Sequence, residues 1–581
     1  MGSKAKKVLG LMVAVAVAVA APVEALAASW DIADGDITIN AEEENQTVQQ
    51  GSEDAVVDND PTITGSSGKN TIDIETGENG SANVTIEDLD IITGSDAAID
   101  VKGSGKADIT IKGENNVLLA DSYNGAIHVN DADLTLKGDG ILNIDSNIQY
   151  NDDAVIGTEE DEDLTGSINI TESAKITVDG GGTSDQGAAI GTGEGGNIDE
   201  NASINIGGNS VVRVKSNNDG AGIGTGKDGQ LRGTIKIHEN ADVVAISDDD
   251  GAGIGTGRDD DSSSDITETG KIIITDNAKV VGLSEDDGAG IGTGDNHSDM
   301  YGQILIDGNA DVYAEGNDDS AGIGAGEYGD IEKSGLISIG GNARVHAVGE
   351  DEGAGIGAGN DNDMYGTIRI KDKAHVIAWA GYSAAAIGAD DHGECEGTIE
   401  ILDESVVETA VADDETREPI PGEIGYIGGS SSKHTSGNET TFVFGANAKI
   451  NGVYGKDVEA LGEFVNYDID EEGKPVRVTV VYPPAAEDKE SIEYQVLYLD
   501  GRKAEYDSEY KGDTLTIKTK VKEAKLVIDR ESLDLLLDKG IEKVRFVTAE
   551  NEVTFDIFEL MEKDNAREFV IVLFENSVKF N

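Results

Sequence analysis

A glycine-rich motif recurs along the chain at nearly constant spacing, and this spacing restricts the possible folds more than any other feature. The copies read GAAIGTG at 187–193, GAGIGTG at 220–226, 251–257 and 288–294, SAGIGAG at 320–326, GAGIGAG at 353–359 and AAAIGA at 384–389. Their isoleucines are separated by 33, 31, 37, 32, 33 and 31 residues: Ile190, Ile223, Ile254, Ile291, Ile323, Ile356 and Ile387. A unit of this length cannot bury a core alone, so neighbouring units must stack into a solenoid.

Each unit also contains two segments in which apolar and polar residues alternate. One example is GQILI at 302–306, and another, NADVYA at 309–314, follows a glycine and begins with asparagine. Alternation with period two is typical of half-buried strands, and no segment of the unit has the 3.6-residue period of a helical repeat. With the GAGIG motif as a third strand, the unit predicts a mainly β protein, a right-handed parallel β-helix with about 31–33 residues per coil.

Composition divides the chain into five predicted segments. A basic start, an apolar run from Val8 to Ala21 and the Ala-Leu-Ala pattern at 25–27 indicate a cleaved signal peptide and export. We therefore expect a secreted, extracellular protein associated with the cell surface. The predicted order is signal peptide (1–27), N-terminal cap and first coils (28–95), β-helix repeats (96–481), linker (482–492) and a small α+β domain (493–581).

The chain is strongly acidic, with a formal net charge of −72. A charge of this sign excludes nucleic acid and anionic membrane as electrostatic partners. The acid is concentrated in the predicted repeats, because residues 475–581 carry 16 Lys and Arg against 23 Asp and Glu. The single cysteine, Cys395, excludes an internal disulfide.

Glycines and asparagines at repeated positions are interpreted as structural. The GAGIG motif recurs without a following helix or Walker lysine, so we read its glycines as allowing close approach of coils and positive φ, not as a phosphate loop. An asparagine precedes the second alternating segment of many units. Stacked asparagines at this turn are expected to accept the left-handed conformation and to hydrogen-bond to one another. They are found at 209, 240, 277, 309, 342 and 447.

Acidic residues recur four and five positions before the motif isoleucines. In register they would lie about 5 Å apart, where like charges repel. Two interpretations remain open: the turns are solvated, or Ca²⁺ binds between the coils, because hard oxygen ligands suit that ion. The candidate metal ligands are Asp219, Asp249, Asp250, Asp286, Asp287, Asp318, Asp319, Asp351 and Glu352.

Aromatic residues in the repeats are candidates for sugar stacking. The alternative is that they are isolated surface rings. The candidates are Tyr301, Tyr328, Tyr365, Trp379 and Tyr382.

A catalytic site is the less favoured interpretation. Acid/base cleavage of a polysaccharide requires clustered carboxylates and a basic group, and the fragments that offer these are Asp390-Asp391-His392 and Arg369 with Lys371. Arg369 occupies a strand position that holds Lys236, Leu305, Ser338 or Glu400 in other coils, which indicates a surface position.

The chain resembles secreted β-helix proteins on the surface of anaerobic Gram-positive bacteria. The resemblance rests on Trp30-Asp-Ile, on segments 82–86 and 97–100, on the GAGIG coils and on the α+β tail. These proteins are described as carbohydrate-binding or adhesin-like and share the pectin-lyase-like architecture. The chain departs from their GAGIGGG pattern by using GTG or GAG, and it is unusually acidic.

The resemblance implies a non-catalytic, surface-associated protein whose partner is a polysaccharide or a host glycan. The alternatives are a β-helix polysaccharide lyase or glycoside hydrolase, and a calcium-stabilised matrix protein that self-associates.

Overall fold

The computed structural model divides the chain into two compact units, Met1–Tyr482 and Pro483–Asn581. The predicted signal peptide lies outside the described residues, as does the predicted linker apart from Tyr482. Among the residues that the structure describes, no helix is long and apolar enough to cross a membrane. The described residues are 28–43, 45–94, 96–120, 125–146, 152–180, 186–216, 218–260, 264–381, 384–390, 392–412, 419–420, 423, 425–429, 439–470, 473–482, 494–563, 568–574 and 577–580.

The first unit is a parallel β-helix, as the repeat predicts. Its strands form three ladders, in each of which a strand pairs in parallel with its counterpart in the next coil. The first ladder contains the G-x-I-x-I segments, whose isoleucines point inward in register, as Ile235 does between Ile204 and Ile272. Its strands are Ser29–Asp31, Thr62–Ser67, Ser81–Thr93, Lys106–Lys112, Asp133–Gly138, Ser167–Ile170, Ser203–Ile206, Thr234–Ile237, Lys271–Ile274, Gln303–Ile306, Leu336–Ile339, Thr367–Ile370, Thr398–Ile401, Thr441–Gly445 and Val478–Val481.

The second ladder contains the segments that follow the repeated asparagine. It starts on the C-terminal half of Thr62–Ser67, which pairs with the C-terminal half of Ser81–Thr93; the N-terminal parts of both strands belong to the first ladder. Its inward side chains are small or branched, such as Val312 and Ala314. Its further strands are Asn116–Ala120, Ile141–Ser146, Lys175–Asp179, Val211–Ser216, Asp242–Ser247, Lys279–Ser284, Asp311–Gly316, Arg344–Gly349, His375–Ala380, Val406–Val411 and Lys449–Ile450.

The third ladder contains the GAGIG motif. Its strands shorten to two paired residues per coil from residue 156 onward. Its strands are Ile37–Ala41, Ile72–Thr76, Ile99–Gly103, Ile127–Asn130, Ile156–Gly157, Ile190–Gly191, Ile223–Gly224, Ile254–Gly255, Ile291–Gly292, Ile323–Gly324, Ile356–Gly357, Ile387–Gly388 and Ile427–Gly428. A fourth column of single parallel bridges lies between the third and first ladders. It comprises Leu164, Ile198, Leu231, Ile266, Met300, Ile331, Met364 and Cys395.

Glycine is required in the third ladder because successive coils touch through their backbones. Gly224 has φ of 149°, and a Cβ on it would lie 1.8 Å from the carbonyl oxygen of Gly255 in the next coil. Gly255 and Gly292 repeat this geometry. The glycine before the motif isoleucine is crowded too, since a Cβ on Gly290 would lie 2.5 Å from the backbone nitrogen of Glu315. The predicted reason for the glycines, close approach with positive φ, is confirmed.

The repeated asparagines form a side-chain ladder. The Nδ2 of Asn240 donates to Oδ1 of Asn209 at 3.1 Å, and the same bond continues through Asn277, Asn309 and Asn342 at 3.0–3.1 Å. The predicted hydrogen bonding is confirmed for these five. The expectation that the asparagines themselves are left-handed was wrong, because positive φ falls on the preceding residue. Those residues are Gly208, Glu239, Asp276, Gly308 and Gly341.

Irregular elements close the two ends of the coil stack. At the N-terminal end, a 3-10 turn spans Ile32–Asp34, and the antiparallel strands Gln46–Gln50 and Val56–Val57 extend the third ladder. At the other end, Val453–Tyr454 folds back antiparallel on the last strand of the second ladder, and the short helix Val458–Leu461 follows.

The second unit is an α+β fold with its own core. Its helices are Arg530–Asp538, capped by Asp529, and Ile557–Lys563 after Asp556. One sheet contains Tyr494–Leu497, Ala524–Asp529, Glu568–Phe574 and Ser577–Phe580, and the other contains Tyr506–Lys511, Thr514–Thr519, Lys543–Val547 and Glu552–Asp556.

Candidate functional site

Two turns of successive coils meet beside the third ladder. One is the acidic turn before the GAGIG motif, and the other begins at the residue directly after the motif, here called the post-motif position. The backbone N–H of this residue donates to the second acidic-turn residue of the preceding coil, as from Asp295 to the Asp250 carbonyl (2.9 Å) and from Glu327 to the Asp287 carbonyl (3.0 Å). The post-motif residues are Glu194, Lys227, Arg258, Asp295, Glu327 and Asn360.

In two coils the post-motif residue is a cation that neutralises the acidic turn. The Arg258 guanidinium lies 2.6 Å from Asp250 and 3.7 Å from Asp219, and the Lys227 ammonium lies 3.6 Å from Asp219. Burial raises the pKa of the Asp219 carboxyl, while Lys227 and Arg258 oppose this rise. The chain itself thus provides the countercharge for these turns.

In the next two coils the post-motif residue is an acid. Carboxylate oxygens of Asp250, Asp287 and Asp295 lie within 4.8 Å of one another, as do those of Asp287, Asp319 and Glu327. The sequence contains no Lys or Arg between Lys279 and Lys333. Asp250, Asp287, Asp295, Asp319 and Glu327 are here called the acidic cluster. All of them except Asp250, which pairs with Arg258, lie in this stretch without Lys or Arg.

Asp295 is the most enclosed member of the acidic cluster. It is 6% exposed, and its Oδ1 has no hydrogen-bond partner. Burial, with the charges of Asp250 and Asp287, raises the pKa of the Asp295 carboxyl to about 8. Burial and the neighbouring Glu327 raise the pKa of Asp287 to about 7. Burial and the neighbouring negative charges therefore disfavour the ionised form of these carboxylates unless a cation compensates them.

The structure brings together only part of the predicted metal-ligand set. Two further groups adjoin the acidic cluster: Asp249 with Asp250 and Asp286, and Asp286 with Asp287 and Asp318. Asp219 instead lies with Lys227 and Arg258, Asp351 is exposed, and Glu352 lies 3.6 Å from His392.

Asp295, Glu327 and a separate group of Asp152, Glu160 and Glu194 are not among the ligands predicted from the sequence. Reading the post-motif position down the repeats would have found Asp295 and Glu327.

The predicted ring candidates occupy different positions in the coil. Tyr301 and Tyr365 follow the bridge residues Met300 and Met364, and their hydroxyls donate to Asp299 (3.1 Å) and Asp363. Tyr328 is 41% exposed, follows Glu327 and has a left-handed φ of 56°. Tyr382 lies outside the described residues.

Trp379 lies on the outward face of the second ladder, together with two rings that are not among the predicted candidates. Its ring centroid is 4.2 Å from that of His346, which is 5.2 Å from that of Tyr313, and both contacts are edge-to-face. The three half-buried side chains come from consecutive coils. Tyr313, His346 and Ile377 line a groove on this face, whose border carries Asp311 and Arg344. We call Tyr313, His346 and Trp379 the ring row.

The residues of the candidate catalytic fragments are engaged in local contacts. Arg369 pairs with Glu400 of the next coil. The Asp390 carboxylate is buried and accepts backbone N–H groups of Asp361 and Gly393, both at 2.6 Å. Asp391 lies outside the described residues.

No family model matches the sequence, and neither a curated protein nor a solved structure shows detectable similarity to it.

Proposed function

We propose that this protein is an exported, non-catalytic glycan-binding protein of the adhesin type, which acts at the cell surface. The ring row is the observation that supports this proposal. Sugars bind proteins through apolar ring faces bordered by polar groups, and Tyr313, His346 and Trp379 provide three rings on one outward face. A polysaccharide lying across successive coils would contact one ring from each.

The charged border of this groove would supply hydrogen bonds to sugar hydroxyls. Successive strands place Asp311, Arg344 and His375 in register along it. Tyr313 is positioned by its hydroxyl, which donates to Glu315 on the same strand. Rings held in this way lose little conformational entropy when a ligand binds.

The resemblance to GAGIG-repeat surface proteins supports the same class of function. It also accounts for the basic and apolar N-terminal segment, which we interpret as an export signal. We infer that the C-terminal α+β domain serves attachment or interaction.

Retention of the mature protein on immobilised polysaccharides and mucins tests the proposal. We expect selective retention of the native chain and a loss of about tenfold or more in affinity for Trp379→Ala and Tyr313→Ala. Tyr454→Ala is a matched control, since Tyr454 is a 40% exposed ring on the terminal hairpin. Absence of retention on every surface would exclude the glycan proposal, and unsaturated or reducing-end products from an acidic polysaccharide would indicate an enzyme instead.

A further inference from the structure

Acids in the acidic cluster occupy positions that, two coils earlier, carry cations which neutralise the acidic turns. Lys227 and Arg258 occupy the post-motif position there and contact the acidic turns. Asp295 and Glu327 occupy the equivalent positions in the next coils. The backbone hydrogen bonds at these positions are the same, so only the charge differs.

We propose that two divalent cations, calcium by the chemistry of their ligands, bind in the acidic cluster: one among Asp250, Asp287 and Asp295, and one among Asp287, Asp319 and Glu327. The shared Asp287 bridges the two sites. The unpartnered Oδ1 of the buried Asp295 provides an observation independent of the acidic composition, because an orphaned buried oxygen requires a partner.

The nature of the ligands favours calcium over magnesium. Calcium is bound by several protein carboxylates in flexible geometry, whereas magnesium dehydrates reluctantly and usually takes only one or two carboxylates. The three carboxylates of each site offer oxygens within 4.8 Å of one another. Bidentate carboxylates and water would complete the six to eight ligands that calcium takes.

The charges also balance with two ions. The five ionised carboxylates of the acidic cluster, together with the Arg258 guanidinium on Asp250, carry a net charge of −4. Two divalent cations neutralise this charge. One ion would leave the cluster negative, and a side-chain cation is absent from residues 280–332.

Calcium titration of the chelator-treated full chain tests the proposal. We expect calorimetry to report two calcium ions per chain and weaker binding of magnesium. A calcium concentration of a hundred times Kd at both sites should raise the unfolding temperature by roughly 5 °C. A chain that takes up no calcium, and whose unfolding temperature is the same in calcium and in chelator, would overturn the proposal.

Single substitutions assign the ions to the two sites. Asp287→Asn should abolish uptake of both ions, because it removes the shared ligand, and Asp295→Asn should leave one. Asp311→Asn removes an exposed acid of the same coils outside the acidic cluster and should still bind two. Binding of two ions by Asp287→Asn would contradict the assignment.

The substitution Asp295→Arg distinguishes loss of a calcium site from loss of the folded structure. This substitution places at residue 295 the same cation that residue 258 already carries. We expect this variant to lose one calcium ion and to unfold at a higher temperature than the native chain when both are in chelator. If it still binds two ions, the proposed site at Asp295 is wrong.

Discussion

Two neighbouring stretches of equal length, 227–279 and 280–332, share one backbone frame but differ in charge. The first contains 12 Asp and Glu with 6 Lys and Arg, and the second contains 13 Asp and Glu with no Lys or Arg. Both contribute strands to the same three ladders and residues to the same asparagine ladder. The frame therefore depends on isoleucine, glycine and asparagine, while the turns beside it can vary in charge between coils.

The largest expected effect tests whether the frame is equivalent in the two stretches. Gly255→Ala and Gly292→Ala would each place a Cβ 1.7–1.8 Å from a carbonyl oxygen of the next coil. Each should cost about 3–5 kcal/mol, because backbone must shift and φ is unfavourable for alanine. Urea unfolding should show similar losses for both, and none for Gly68→Ala, which meets no atom within 4 Å. If one of the two substitutions left the free energy of unfolding unchanged, the backbone frame would not be equivalent in the two stretches.

The second prediction concerns a substitution that gives the first stretch an acidic post-motif residue like those of the second stretch. Arg258→Asp removes the cation beside Asp219 and Asp250 and should cost about 2 kcal/mol in chelator, because it leaves enclosed carboxylates uncompensated. Calcium should restore part of this loss. The control Arg232→Asp disrupts a more exposed pair with Asp199 and should cost about 0.5 kcal/mol. If thermal unfolding showed the same loss of stability for both variants, the contacts of Arg258 with the acidic turns would contribute no more than an exposed ion pair.

The third prediction concerns pH in the absence of metal. The folded-state pKa values of Asp287 (about 7) and Asp295 (about 8) lie above the ordinary aspartate value, so the folded chain binds more protons than the unfolded chain between about pH 4 and pH 8. Stability should therefore fall as pH rises through this range. Calorimetry in chelator should report an unfolding temperature that is lower at pH 8.5 than at pH 5.5. The slope should be smaller for Asp295→Asn, and an unchanged slope would contradict the assignment.

The smallest effect is expected in the asparagine ladder, which crosses both stretches. Asn240→Ala and Asn309→Ala each remove two exposed side-chain hydrogen bonds and should cost about 1 kcal/mol. The two losses should agree, since the ladder does not depend on the acidic turns. If urea unfolding showed a loss of stability for only one of the two variants, the charge of the turns would be affecting the asparagine ladder.

The fold was predictable because its determinants are local and repeat. Alternation around Ile235 or Val312 identifies strands, and a recurrent glycine such as Gly224 identifies a close approach. The fourth column, which includes Leu231, was not predicted because a single bridged residue per coil leaves no alternation.

The acidic cluster was only half predictable. Asp250 and Asp287 stand out because they recur before each motif, whereas Asp295 and Glu327 replace Lys227 and Arg258 at a position of variable chemistry. Their proximity depends on two turns meeting across coils, a contact that sequence order conceals. Two members of the ring row, Tyr313 and His346, were missed because other coils fill their strand position with residues as different as Val281 and Arg213.

The parallel pairing of every coil with the next has a mechanical consequence. Hydrogen bonds between successive coils run along the stacking direction, so tension applied along that direction loads one inter-coil interface at a time. Each released coil of about 32 residues would add roughly 110 Å of extended chain. Single-molecule pulling on the first unit should therefore give a series of low-force extensions of this size, so that the unit would lengthen coil by coil before it unfolds completely.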